Sequence, residues 1–204
     1  MRVRELKTGK VIASSIENYN GGMPAIGGLN ATVAELNTAA DLSAQVVMAP
    51  AAGFLGASTV YKSSVTREGD FIYTRIYINL RTAKSSTTDL DIIGNTGASY
   101  IGQITAAVNG TIVGGTMTCL EVPTTGADDI DLYAADEGTG AFDGGIAALA
   151  ETALVTSGGA WTLGGMKGMS GLPAANQYLY LTGGEAGTAG TYDAGKFLIT
   201  FIGV

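Results

Sequence analysis

The alternation of apolar and polar positions over residues 71–80 is the clearest structural signal in the chain. One side of this stretch, taken as extended, carries Ile72, Thr74, Ile76, Ile78 and Leu80. The other side carries Phe71, Tyr73, Arg75, Tyr77 and Asn79. A period of two predicts a β-strand whose first set of side chains enters the core. The second set is aromatic and amphipathic, which suits either an intersubunit surface or an ordinary outer face.

Shorter stretches of the same kind, separated by turn residues, predict further strands. The expected strands cover residues 58–65, 130–134, 178–182 and 197–204. Asn109-Gly110 is a dipeptide that supplies the positive φ angles of a type I′ turn, so it predicts a hairpin between residues 100–108 and 111–122. Pro123 is expected to end the second strand of this hairpin.

The C-terminal stretch 197–202 is apolar on both sides of the extended chain. A strand of this kind lies centrally in a sheet or is covered by a partner. Many short strands with frequent turn signals predict an all-β fold, with a β-sandwich or jelly-roll-like body. This body is expected to span residues 51–204.

Residues 1–50 have a different pattern, which predicts an N-terminal arm. The cluster of Gly, Asn and Pro at 18–28 is typical of a linker. Thr32 and Glu35 then form a capping box, in which each side chain binds the backbone N–H of the other residue. The helix that follows ends near Leu42, and at about three turns it is too short to be stable unless it packs on something. The segment is therefore interpreted as an arm, a linker and a short docking helix.

The composition supports a β-rich protein and argues against two classes of partner. Glycine accounts for 31 of 204 residues and charged residues for only 14%, which favours tight turns over long helices. Residues 1–84 carry nine Lys/Arg and six Asp/Glu, whereas residues 85–204 carry two and twelve. An acidic body does not bind nucleic acid by counterion release, and no apolar run is long enough to cross a bilayer. The basic excess near the N-terminus suggests an arm that docks on an acidic partner; an ordinary N-terminal segment is the plainer interpretation.

Most catalytic chemistry lacks its usual residues in this chain. The sequence contains no histidine, so neither a Ser-His-Asp nor a Cys-His site can form within one chain. Cys119 is the single cysteine and lies in an apolar stretch, which predicts a buried and inert thiol. The chain is therefore predicted to be no enzyme and to bind neither a metal nor a cofactor.

Six carboxylates are concentrated within sixteen residues, at Asp128, Asp129, Asp131, Asp136, Glu137 and Asp143. Oxygen-rich loops can bind Ca²⁺, but this spacing does not match an EF-hand loop. Widely spaced carboxylates also serve glycosidases, yet Trp161 is the only tryptophan available to line a sugar cleft. The segment is interpreted as a solvated acidic loop.

Several passages resemble segments of bacteriophage virion proteins. Residues 27–37 read GGLNATVAELN and residues 40–44 read ADLSA, which is similar to the TATVAELN…ADLSA segments of such proteins. The sequences of residues 85–94, 117–123 and 195–199 are similar to those of small phage structural proteins. The first passage is the most specific, and such segments also occur in tail fibres. The resemblance implies a component of a virion.

The resemblance and the size of the chain together imply a capsid decoration, or cement, protein that stabilises the head from the outer capsid surface. It is expected to form a homo-oligomer, most simply a trimer, and to bind the major capsid protein or another virion protein, with no membrane and no direct nucleic-acid contact. A tail, baseplate or fibre-attachment subunit is the alternative. The expected interface residues are Arg2, Arg4, Lys7, Lys10, Leu29, Val33, Leu36, Leu42, Tyr73 and Tyr77.

A carbohydrate-binding module is a third hypothesis. Such a module would keep particles near host surfaces. Its stacking platforms would be Tyr73, Tyr77, Trp161, Tyr178 and Tyr180, although packing in a core or an interface explains the same aromatic residues more simply.

Overall fold

The part of the chain that follows the predicted arm folds as an all-β unit. A computed structural model describes residues 48–185 and 187–204. The predicted docking helix therefore lies outside the described residues. So do the interface residues predicted before it and within it, which are Arg2, Arg4, Lys7, Lys10, Leu29, Val33, Leu36 and Leu42.

The secondary structure of the described residues consists of short strands with two single helical turns. The strands are β1 (Val60–Glu68), β2 (Phe71–Asn79), β3 (Lys84–Ser85), β4 (Gly102–Gln103), β5 (Ile112–Thr124), β6 (Ile130–Ala135), β7 (Glu151–Val155), β8 (Met166–Gly168), β9 (Tyr178–Gly183), β10 (Gly190–Thr191) and β11 (Ala194–Gly203). The helical turns are α1 (Ala106–Asn109) and a 3₁₀ turn (Ile146–Leu149). The predicted all-β fold class is confirmed.

The strands form two main sheets in which all pairs are antiparallel. The larger sheet has five strands in the order β1-β2-β11-β5-β8, and the smaller has four in the order β4-β9-β6-β7. Strands β3 and β10 form a separate pair. Neighbours such as β2 and β11 are far apart in sequence, so much of the pairing is long-range.

The predicted alternation along β2 is confirmed in the structure. Strands β1 and β2 form a hairpin in which Glu68 pairs with Phe71, and the tight loop between them contains Gly69 with a φ of 64°. A glycine adopts this left-handed conformation without strain. The side chains directed into the core are Ile72, Thr74, Ile76 and Ile78, all of which are buried. Those between them are exposed or half-buried.

The two sheets pack face to face around one apolar core, which makes the fold a β-sandwich. The larger sheet contributes Ile76, Ile78, Met117, Cys119, Phe197, Ile199 and Phe201 to it. The smaller sheet contributes Ile130, Leu132, Ala134, Leu154, Val155, Leu179 and Leu181. Strand β11 lies between β2 and β5, which confirms the central position predicted for its doubly apolar sequence.

A second apolar cluster covers the other face of the smaller sheet. It consists of Ile92, Tyr133, Ala135, Ile146, Leu149 and Tyr180. Ile92 belongs to a loop that runs beside β9, and Ile146 and Leu149 belong to the 3₁₀ turn. The smaller sheet is therefore covered on both faces by its own chain, and polar residues on the outer of these faces are removed from solvent.

The hairpin predicted around Asn109-Gly110 is wrong. Asn109 ends the helical turn α1, and only Gly110, with a φ of 68°, has a positive φ angle. The strands on either side belong to different sheets, because β4 pairs with β9 while β5 pairs with β11 and β8. An Asn-Gly pair also suits the C-terminal end of a helical turn, where a glycine commonly takes the left-handed conformation.

The expectation that Pro123 ends its strand is also wrong, because β5 continues to Thr124. The register between β5 and β11 shifts between Ala194 and Lys196. This irregularity places the proline opposite Gly195, which has a φ of 133° and no side chain to meet it. A proline can stay within a strand where the ladder is interrupted in this way.

The buried amide of Asn109 connects α1 to the larger sheet. Its Nδ2 donates to Thr74 Oγ1 at 2.8 Å, and its Oδ1 accepts from the backbone N–H of Thr105 at 2.8 Å. We expect Asn109→Ala to lower the free energy of unfolding by about 1–3 kcal/mol, because it removes both bonds inside the protein. Urea unfolding measures this, with Thr200→Ala on the outer side of β11 as the control, expected to change stability by less than about 0.5 kcal/mol. Equal effects of the two substitutions would contradict the role given to Asn109.

Candidate functional site

The side of the larger sheet that faces away from the core is the most extensive candidate for a binding surface. The register places Lys62, Tyr77, Leu198, Thr118 and Met166 in one row across all five strands. A second row consists of Ser64, Arg75, Thr200, Thr116 and Gly168, and a third of Thr66, Tyr73, Ile202 and Gly114. These three rows, with Phe71 at the end of β2, are here called the outer face.

Apolar side chains remain accessible on the outer face and at its edge. Phe71 is 46% exposed and Met166 is 66% exposed, and Leu163, in the turn before β8, is 73% exposed. Tyr73, Tyr77, Leu198 and Ile202 are half-buried by their neighbours in the sheet. A connected surface of this kind on a β-sandwich is typical of a site for another protein.

The polar groups of the outer face are mostly paired with one another. Arg75 donates to Thr66 Oγ1 at 3.1 Å, lies 3.6 Å from a Glu68 carboxylate oxygen and packs over the Tyr73 ring at 5.0 Å. Lys196 pairs with Glu121 at 3.0 Å near the other end of the sheet. The outer face therefore presents aromatic, aliphatic and hydroxyl groups with little free charge. The predicted interface residues Tyr73 and Tyr77 both lie on it, within 71–79.

The aromatic residues suggested as sugar platforms do not share one surface. Trp161 is buried, packs edge-on against Phe197 at a centroid distance of 5.4 Å, and donates from Nε1 to the Ile130 carbonyl at 2.7 Å. Tyr180 lies in β9 and is fully buried in the second apolar cluster, on the outer face of the smaller sheet. Tyr178 is half-buried beside Tyr100, with ring centroids 4.9 Å apart. Trp161 and Tyr180 are thus part of the packing, as the simpler explanation held.

The interpretation of residues 128–143 as a solvated acidic loop is wrong for two of the carboxylates. Asp129 is 2% exposed and Asp131 is 4% exposed. Asp131 lies in β6, and Asp129, just before the strand, packs closely against Gly184. The remaining carboxylates, which are Asp128, Asp136, Glu137 and Asp143, are exposed as predicted. The sequence pattern that begins at Ile130 could have placed Asp131 in a β-strand. The neighbouring residues in the sequence do not indicate that the outer face of this strand is buried.

The Asp131 carboxylate lies in an environment that disfavours its charge. Burial raises the pKa of the Asp131 carboxyl, a 2.5 Å hydrogen bond from the backbone N–H of Ser157 opposes this, and the charges of Asp129 and Glu185 raise it further. Both ion pairs recorded among the described residues involve other carboxylates. Asp131 therefore has no cationic partner within residues 48–185 and 187–204.

Two further features of the described residues offer little reactive chemistry. Cys119 is fully buried, as predicted, and burial raises the pKa of its thiol, which makes it a poor nucleophile. An open cavity of about 280 Å³ beside Met48, Tyr100 and Tyr178 has no charged residue in its lining. Among residues 48–185 and 187–204, no three Asp, Glu, Cys or His side chains are grouped so as to hold a metal ion.

Comparison with known proteins gives this chain no relative from which a function can be carried over. No protein-family model, curated protein or solved structure matches it. None of the helices in the described part is long and apolar enough to span a membrane.

The raised pKa of Asp131 predicts a specific dependence of stability on pH. A carboxyl whose pKa is higher in the folded state than in the unfolded state binds its proton more tightly when folded. Its contribution is therefore a penalty that is fully present above the folded pKa and is relieved as the pH falls towards the ordinary value of 3.8. Asp131→Asn, which keeps an oxygen for the Ser157 N–H, should raise the melting temperature at pH 7 in EDTA.

The gain from Asp131→Asn should shrink steadily as the pH is lowered towards the unfolded-state value. Thermal unfolding followed by circular dichroism at several pH values measures it. Asp128→Asn, at an exposed neighbouring position, is the matched control and should show little change at any pH. A gain that is independent of pH, or a loss at pH 7, would show that the Asp131 charge is not disfavoured.

Proposed function

We propose that this chain is a structural protein of a bacteriophage virion, a capsid decoration (cement) protein that stabilises the head by binding the capsid surface and copies of itself. The observation that carries the proposal is the outer face of the larger sheet. It is a continuous surface of five strands with accessible apolar groups, and within the described residues no second sheet packs on it. The resemblance of residues 27–44 to segments of virion proteins supplies the virion context.

The composition of the outer face favours another protein as its partner. Aromatic and aliphatic groups such as Tyr73, Tyr77, Leu198 and Met166 provide the area that is removed from water in an interface. Arg75 is already held by Thr66 and Glu68, so its side chain loses little freedom on binding. A face with few free charges also costs little to desolvate.

Closed symmetry is the simplest way in which copies of this chain can cover these faces. A trimer with one threefold axis buries the same surface on each subunit without growing into a filament. On a capsid, such a trimer fits a threefold or quasi-threefold position. The exposed acidic groups of the body would then face solvent, where charge keeps particles apart.

The arm is the part of the chain proposed to contact the capsid. Its basic residues Arg2, Arg4, Lys7 and Lys10 suit an acidic partner. The predicted helix carries Val33 and Leu36 on one side, at a spacing that fits a groove. A tail, baseplate or fibre-attachment subunit would use the same two surfaces. Imaging of intact particles by cryo-electron microscopy separates these alternatives by showing whether the density lies on the head or on the tail.

The outer face predicts a change of oligomeric state on substitution. Leu198→Asp places a charge in the middle of this face, and burying an unpaired charge costs several kcal/mol. We expect the full chain to sediment as a trimer at equilibrium and the variant to sediment as a folded monomer. Leu172→Asp is the matched control, since Leu172 is 43% exposed but lies outside the larger sheet. A monomeric wild-type chain, both in solution and on particles, would contradict the proposed trimer.

The arm predicts a loss of attachment that leaves the body folded. Deletion of residues 1–44 should leave a soluble β-sandwich that no longer binds particles. Leu36→Asp should have the same effect through one unpaired charge in an apolar groove, whereas Asn37→Asp, at the next position, should bind normally. Co-sedimentation with particles stripped of the protein measures occupancy. Attachment of the deleted chain at wild-type occupancy would show that the arm is not the anchor.

A further inference from the structure

A group of oxygen atoms lies on the outer face of the smaller sheet, where β6 begins and β9 ends. The second apolar cluster has no members at this end of the two strands. Asp131 and Thr182 are directly opposite each other in the register of β6 and β9. Their side chains therefore leave the sheet on the same face, with Cβ atoms about 5 Å apart. Thr182 is 0% exposed. Ser157 follows β7 and approaches the Asp131 carboxylate from the other side, through its backbone N–H.

Two hydroxyl groups of this cluster have no hydrogen-bond partner of good geometry among residues 48–185 and 187–204. Ser157 Oγ and Thr182 Oγ1 are both inaccessible to solvent and unpaired. The Ser157 hydroxyl lies close enough to the Asp131 carboxylate to lower its pKa, but its geometry does not satisfy that of a hydrogen bond. Unpaired buried hydroxyls are rare in native proteins, because they lose their bonds to water without replacement. Two of them around one buried carboxylate indicate a ligand that binds oxygen.

The cluster also carries negative charge. Asp131 forms no ion pair with a residue of the described part of the chain. Asp129 precedes Asp131 by two residues and is equally buried. Gly184 is packed so closely that a Cβ there would lie 2.7 Å from Asp129 Oδ2, which brings the end of β9 against this carboxylate. Glu185 follows directly and its charge acts on Asp131. A cation is therefore the kind of ligand that fits.

We propose that this cluster is a Ca²⁺ site in which the carboxylates of Asp129 and Asp131 and the hydroxyl oxygens of Ser157 and Thr182 are ligands. The set contains only oxygen, which hard cations prefer, and two carboxylates balance the charge of one divalent ion. Ca²⁺ accepts an irregular shell completed by carbonyl oxygens and water, whereas Mg²⁺ requires a near-ideal octahedron. Bound there, the ion joins β6, β9 and the segment after β7. This inference is independent of the proposed virion role.

Calorimetric titration of the full chain tests the site directly. After removal of metal with EDTA and dialysis, Ca²⁺ should bind with one equivalent per chain and a dissociation constant below about 1 mM, the weak end for structural calcium modules. At a concentration a hundred times the dissociation constant, mass action shifts the folding equilibrium about 100-fold towards the folded state. The melting temperature should therefore rise with Ca²⁺. No saturable binding at millimolar Ca²⁺, or equal binding of Mg²⁺, would overturn the proposal.

Two substitutions distinguish a ligand from a merely structural group. Thr182→Val keeps the shape and removes the oxygen, so in EDTA it should be at least as stable as the wild type, whereas its stabilisation by Ca²⁺ should fall. Asp131→Asn should be more stable than the wild type in EDTA and less stable in saturating Ca²⁺. Asp128→Asn, exposed and outside the cluster, should bind Ca²⁺ normally. If Thr182→Val is equally destabilised in EDTA and in Ca²⁺, its hydroxyl is not a ligand and the site as proposed is wrong.

Discussion

The position of β11 between β2 and β5 is the constraint on which the rest of the structure depends. Its inner side chains, Phe197, Ile199 and Phe201, are fully buried against the smaller sheet. Each such side chain stabilises the fold by about 1.5–3 kcal/mol when it leaves water. The strand is also apolar on its other side, through Leu198 and Ile202, but the smaller sheet covers only its inner side. The packing of the core thus produces an accessible apolar face as its direct consequence.

The outer faces of the two sheets differ in how far the chain itself covers them, and each face is therefore suited to a different kind of ligand. The loop around Ile92 and the 3₁₀ turn cover part of the smaller sheet, and polar residues beyond them on the same face, such as Asp131, are buried as well. The chain leaves the larger sheet without such a layer among the described residues. A buried polar cluster is suited to a small ion, because it is enclosed and has fixed oxygen atoms. An open sheet of aromatic and aliphatic residues is suited to a protein.

Sequence patterns predicted the parts of the fold that depend on local alternation. The faces of β2, the central place of β11 and the burial of Cys119 all follow from neighbouring residues. The pattern failed where the outcome depends on distant partners. Asn109-Gly110 fits the end of a helical turn as well as a hairpin, and only the pairing of β4 with β9 decides between them. The burial of Asp131 could not be predicted either, because the segment that contacts its carboxylate, at Ser157, lies 26 residues later in the chain. The oligomeric role of Tyr73 and Tyr77 remains a prediction.

The arrangement also allows the proposed ion site and the proposed assembly surface to coexist in one small domain. The cluster at Asp131 and Thr182 lies on the side of the smaller sheet that faces away from the core, whereas Tyr77 and Leu198 lie on the opposite outer side of the sandwich. The apolar core of the sandwich lies between them, so the two sites share no side chains. A bound ion would stabilise the smaller sheet without altering the shape of the outer face. On these proposals, rigidity and partner contact depend on different residues, so each could be changed while the other is left intact.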